Sequence, residues 1–228
     1  MGEGKLEYLR NQVLVEMPYL SHTNRILNYL DVGFDKDLWE LAVKKRWHPW
    51  ENRPIKDMGE LFRVMRKISN TDPSRLEVIR ELMKIHPKLI IFYNFNYELE
   101  ILRSLCDEAD IAEWNGHRKN SIPDSDHWVY LVQYNSGSEG WNCTETNAMV
   151  LYSSTYSYKN FIKCQGRIDR LNTSYTDLYY YILGNQSAID VAVRKALKSK
   201  KSFNEREMIR KMSGPANNFE VPGTMTRE

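Results

Sequence analysis

From residue 70 onward the chain alternates short apolar runs with stretches of helical periodicity, and this confines the fold more tightly than any other feature. Leu89-Ile90-Ile91-Phe92-Tyr93 is apolar without a break, the pattern of a strand buried on both faces of a parallel sheet. Before it, Leu76, Ile79, Leu82 and Met83 recur at helical spacing after the turn Asn70–Ser74, and His86-Pro87 ends that helix. After it come a helix marked by Leu99, Ile101, Leu102 and Leu105, and a short strand Ile111–Trp114 closed by Asn115-Gly116. Trp128–Gln133, Ala148–Tyr152 and Leu178–Leu183 read as further strands, with helices over Lys159–Gln165 and Ala188–Leu197. Strands separated by helices make βαβ units, so the expected fold is α/β, a parallel sheet flanked by helices.

Residues 1–70 read differently. A strand-like Val13-Leu14-Val15 precedes helical patterning over Leu27–Leu30, Leu38–Val43 and Leu61–Ile68. The stretch Arg46–Pro54 interrupts it, because Pro49 and Pro54 do not continue a helix. The expected organisation is a mainly helical lead-in over 1–70, an α/β unit over 71–212 and a flexible tail over 213–228. Trp47-His48-Pro49-Trp50 fits a surface wedge or local core, and core is the favoured reading, since tryptophan is readily buried.

Composition sets outer bounds. At 228 residues with 42% hydrophobic and 27% charged residues, the chain can build a core and is neither collagenous nor low-complexity. A net charge of +2 gives no global signature of nucleic-acid binding. Three cysteines without CxxC spacing define neither a disulfide framework nor a zinc site, which fits a reducing cytoplasm. No apolar run is long enough for a membrane span.

Two local motifs carry chemistry. In Gly166-Arg167-Ile168-Asp169-Arg170 the arginines are three apart, and on a continuing helix they share one face. Paired guanidiniums form a planar fork suited to phosphate, although a solvated arginine pair has the same spacing. Tyr134–Asn142 follows an apolar strand, where open α/β sheets place ligands, and carries Gly137 and Gly140. By itself it also fits an ordinary glycine-containing turn.

Taken in order, the GxxGxN loop, a strand, a helix and GRxxR about 25 residues on resemble motifs V and VI of superfamily 2 helicases and translocases. The likeness is to the second RecA-like lobe, in the Swi/Snf-like branch and its phage-encoded relatives. Leu89–Phe95 looks like that lobe's first strand and motif IV, and Glu113-Trp114-Asn115-Gly116 like the short strand and turn that follow. The resemblance covers about residues 70–185 and implies a RecA-like sheet. It implies arginine fingers at Arg167 and Arg170, and nucleotide contacts from Gly140, Asn142 and Gly166. It further implies nucleic-acid backbone contacts from Asn94, Asn115, Gly116, Ser136 and Gly137. ATP and Mg²⁺ would be held mainly by a first RecA-like lobe, the expected partner together with DNA, with RNA open as the track. Lys163 stands where the family carries a motif VI glutamine.

Asp107-Glu108-Ala109-Asp110 spells DEAD, but helical periodicity precedes it where a Mg²⁺-binding motif needs a buried strand, so no metal ligand is assigned. No two of the 11 glycines are five apart, which excludes a GxxxxGK[ST] phosphate loop. Residues 190–211 hold eight Lys/Arg against three acids, either a phosphate-tracking surface or a solvated helix face. The expectation is therefore the C-terminal lobe of an ATP-dependent DNA helicase or translocase, phage-type and cytoplasmic, inactive without its first lobe. The alternative is a non-enzymatic nucleic-acid-binding or partner-docking module with the same fold.

Overall fold

A computed structural model describes residues 23–137 and 141–213. In chain order its elements are β1 (Asn24–Asp31), α1 (Lys36–Val43), a hairpin of β2 (Trp47–His48) and β3 (Arg53–Pro54), α2 (Met58–Asn70) and α3 (Ser74–Ile85). There follow β4 (Lys88–Tyr93), α4 (Asn96–Arg103), β5 (Asp110–Trp114), β6 (Trp128–Gln133), β7 (Ala148–Leu151), α5 (Tyr158–Gln165), β8 (Asp177–Gly184), α6 (Ala188–Lys198) and α7 (Glu205–Ser213). One six-stranded sheet runs in the order β1-β8-β7-β4-β6-β5, every pair parallel. This is the α/β architecture, a parallel sheet flanked by helices, expected from the strand–helix alternation. The Val13–Val15 reading, Gly140 and the tail from 214 onward lie outside the described residues.

The central strand explains why the apolar run was needed. Leu89, Ile91 and Tyr93 point into one core with Ile79, Leu82 and Leu102, from α3 and α4. Ile90 and Phe92 point into a second core with Trp128, Tyr130 and Cys164 on the other face. Each such side chain contributes about 1.5–3 kcal/mol on burial. A third core packs Trp39, Leu61, Phe62 and Met65 of α1 and α2 against Ile189 and Met208 of the last two helices.

Helix starts follow their caps. The side chains of Asp35, Asp57, Ser157 and Ser187 each accept a hydrogen bond from a first-turn amide, opening α1, α2, α5 and α6.

Two local readings are corrected. Leu27–Leu30 is strand, not helix: β1 pairs with β8 from Asn24↔Asp177 to Asp31↔Gly184. Its partly buried positions are Ile26, Asn28 and Leu30, while Leu27 and Tyr29 face outward. Asn28 on the inward row hides the two-residue alternation, and the strand is stabilised by a distant partner rather than by local sequence. Trp50 is not core but sits at the hairpin turn, 42% exposed, with the Lys67 ammonium 4.3 Å from its ring centroid. Among the described residues no helix is long and apolar enough to cross a membrane.

Candidate functional site

The helix α5 does not persist through the GRIDR motif. It ends at Gln165, and Gly166 caps it by donating to Ile162 O at 3.4 Å. Arg167 and Arg170 therefore do not share a helix face. The chain turns because Ile168 is fully buried beneath the sheet. Asp169, also buried, accepts from Thr23 Oγ1 at 2.8 Å and from Arg25 Nε at 2.6 Å. These partners begin β1, which places the motif at the N-terminal end of the sheet.

The two guanidiniums meet nonetheless. Arg167 Nη1 donates to Trp141 O at 2.8 Å and to Asn142 Oδ1 at 3.3 Å, and Arg170 Nη2 donates to the same Asn142 oxygen. The Cys143 amide donates to Arg167 O at 3.0 Å, closing the loop before β7 onto the turn after α5. Trp141 anchors that loop by stacking on Tyr130, with centroids 5.2 Å apart and rings 6° from parallel. Arg167 is buried, and desolvation first, then the charge of Arg170, pushes its guanidinium below its ordinary pKa. An anion bound between the arginines would reverse that push. Arg170 Nε is buried and has no hydrogen-bond partner among the described residues, whereas Asn142 is exposed. The arrangement thus fits an anionic oxygen approaching from the Asn142 side.

Two further positions of this motif are set by packing. A Cβ built at Gly166 would come no closer than 3.7 Å, to Lys163 O, so its place here is as a cap. Gln165 is buried, and its backbone oxygen accepts from Tyr180 OH at 2.9 Å.

The remaining candidates gather at the opposite, C-terminal end of the strands. Asn94 follows β4; its Nδ2 donates to Ser153 Oγ at 2.8 Å, and its amide to Glu98 Oε2 at 2.7 Å. Asn115 follows β5 and is buried; its Oδ1 accepts from the amides of His117 and Arg118, both at 2.9 Å. Gly116 at the tip is exposed, with open space where a side chain would project. Ser136 lies in the helical turn Tyr134–Gly137 after β6, and its carbonyl accepts from Trp114 Nε1 at 3.2 Å. Gly137 is buried: a Cβ there would collide with Val132 Cγ1 and lie 2.9 Å from Phe92 Cε1. Close packing on β4 and β6 thus accounts for glycine at 137.

Sequence reasoning missed three features of this end. Glu98 is fully buried and joins Asn94, Phe95, Ser153 and Asn70. Burial pushes its carboxyl up, against the hydrogen bonds that pull it down. Arg103 grips Glu113 through bonds of 2.7 and 2.9 Å and lines a cleft of about 370 Å³ with Asn115, Gly116 and Arg118. Arg66, Phe95 and Tyr156, far apart in sequence, come together beside α2.

Other motifs resolve into structure. Glu108 of the DEAD tetrapeptide pairs with Arg80 at 2.8 Å, and Asp110 opens β5 rather than ending a strand. In the basic stretch, Arg194 is largely buried, donates to Asn185 O at 2.6 Å and leans on Asp31 and Asp190, so it is held by the fold. One cluster among the described residues has metal-ligand geometry, with donor atoms of His48, Glu51 and Glu60 within 4.8 Å of one another. Arg53 bonds both carboxylates and accounts for it.

No protein-family model and no curated protein sequence matches the chain. Among solved structures, the C-terminal part of the Fun30 ATPase domain superposes with a TM-score of 0.48 at 13% identity, over 54% of this chain and 44% of that one. The match therefore spans less than half of that chain's length.

Proposed function

We propose that this chain acts as the C-terminal lobe of an ATP-dependent DNA helicase or translocase. The observation that carries the reading is the convergence of Arg167 and Arg170 on the Asn142 side chain. It seats Arg170 beside the buried Arg167 and directs both guanidiniums toward the exposed Asn142, the side from which a phosphate oxygen would come. In this reading Arg170 is the finger that stabilises charge on the transferred phosphoryl group. Arg167 and Gly166 hold its turn in place, and Asn142, with Gly140 beside it in sequence, faces the nucleotide. Mg²⁺, which would neutralise the phosphates when bound, would be held mainly by the first lobe. At the other end of the sheet, Asn94, Asn115, Gly116, Ser136 and Gly137 offer the track amides and neutral groups, contacts that position a backbone without reading its sequence.

The test is nucleic-acid-stimulated ATP hydrolysis by the polypeptide that joins this lobe to a phosphate-loop lobe. Arg170→Ala should lower kcat by about 10³ or more. An unchanged rate removes the assignment. The 228-residue chain alone, having no phosphate loop, should show no turnover.

A further inference from the structure

Arg66 is a buried cation, 6% exposed, whose one described hydrogen bond goes to the Ser154 carbonyl. It also interacts with the charge of the buried Glu98 carboxylate and lies over aromatic faces: its guanidinium carbon is 4.4 Å from the Tyr156 ring centroid and 5.5 Å from that of Phe95. Phe95 in turn is 37% exposed and stacks on Tyr97, with centroids 5.2 Å apart and rings 10° from parallel. These groups wall an open pocket of about 230 Å³, with the exposed Arg63 and the carboxylate of Glu205 also on its lining. Burying a guanidinium is costly even with the charge of buried Glu98 in reach, and here it occurs beside a partly exposed aromatic ring. Phe95 directly follows Asn94, one of the residues offered above to the nucleic-acid backbone.

We infer that this pocket takes one unpaired base of a single-stranded nucleic acid, packed against the exposed part of the Phe95 ring, with the phosphate charge matched by the exposed Arg63. The volume suits one base and not a drug-sized ligand. Aromatic faces beside arginines are what sequence-independent single-strand binding requires, since every base has a π-face. The inference rests on the nucleic-acid-track reading and adds a base contact to it.

The test uses the full chain and fluorescence anisotropy with three probes: a fluorescein-labelled oligothymidylate, an abasic strand with the same number of phosphates, and thymidine monophosphate as competitor. The oligothymidylate should bind on the order of 10-fold more tightly than the abasic strand, the scale of one stacked base. Phe95→Ala and Phe95→Leu should abolish that difference while leaving abasic binding unchanged, the leucine keeping apolar area without a π-face. Equal affinity of the two strands for the unmodified chain overturns the base pocket and leaves the track reading standing. Binding to neither strand overturns the track reading, and the pocket with it. Displacement of the oligothymidylate by micromolar thymidine monophosphate would also overturn the inference, because the site would then serve a free nucleotide.

Discussion

Asp169 stands between Arg167 and Arg170 in sequence, yet its carboxylate turns from both and is held by Arg25 at the start of β1. The acid that would neutralise the arginine pair is thereby kept away from it. Arg25→Ala leaves a buried carboxylate with the Thr23 hydroxyl. Because the Arg25 side chain is 45% exposed, the loss should be about 1–2 kcal/mol, below that of a fully buried pair. Denaturant unfolding of Arg25→Ala, Asp169→Asn and the double variant should give a coupling of about 1 kcal/mol. Strict additivity would show that the pair does not hold the turn.

Asn142→Asp places a carboxylate at the point where both guanidiniums converge. The substitution should raise stability by about 1 kcal/mol, as a charge-assisted bond replaces a neutral one. It should also weaken pyrophosphate binding, followed by isothermal titration. Tighter pyrophosphate binding by the variant would contradict a cationic site.

Two glycines in the same candidate set should respond in opposite ways. Gly137→Ala drives a methyl into Val132 and Phe92 and should cost about 1–3 kcal/mol. Gly116→Ala projects into open space and should change stability by less than about 0.5 kcal/mol. Chemical denaturation of both variants measures the contrast, and similar losses would refute the packing account of Gly137.

Acid should attack the hairpin junction. Arg53 bonds Glu60 at 2.5 and 3.1 Å and, with the Lys56 amide, holds its carboxyl down to about 2. The folded value lies below the unfolded one of about 4.3. The contribution is therefore complete above the unfolded value and disappears as pH falls toward 2. Between pH 6 and 2.5 the urea midpoint of the unmodified chain should fall more steeply than that of Glu60→Gln. Parallel curves would show that Glu60 does not carry this acid dependence.

What was legible in the sequence was whatever local pattern decides. The β4 run declared a strand buried on both faces, and α3 and α5 declared themselves by periodicity. Gly166 also carried a stop signal for α5, but the spacing of Arg167 and Arg170 invited a longer helix. β1 was not legible because its pairing partner lies 153 residues away, and neither was the Arg66 pocket, assembled from α2, the start of α4 and the segment after β7. Convergence on Asn142 could be suspected from motif order, but the guanidinium positions depend on Trp141 stacking against Tyr130, a contact with no local signature.

The pairing of β1 with β8 has a consequence for biosynthesis. Asn24 and Asp177 begin strands that lie side by side, so during synthesis β1 waits for β8. At about 5–20 residues per second that wait is roughly eight to thirty seconds. During it, the apolar side chains of β1 and the unsatisfied edge of β7 stand open to other nascent chains. Closure of the sheet is thus a late event of high contact order, and the yield of folded protein depends on how well the cell shields one short strand until its neighbour arrives.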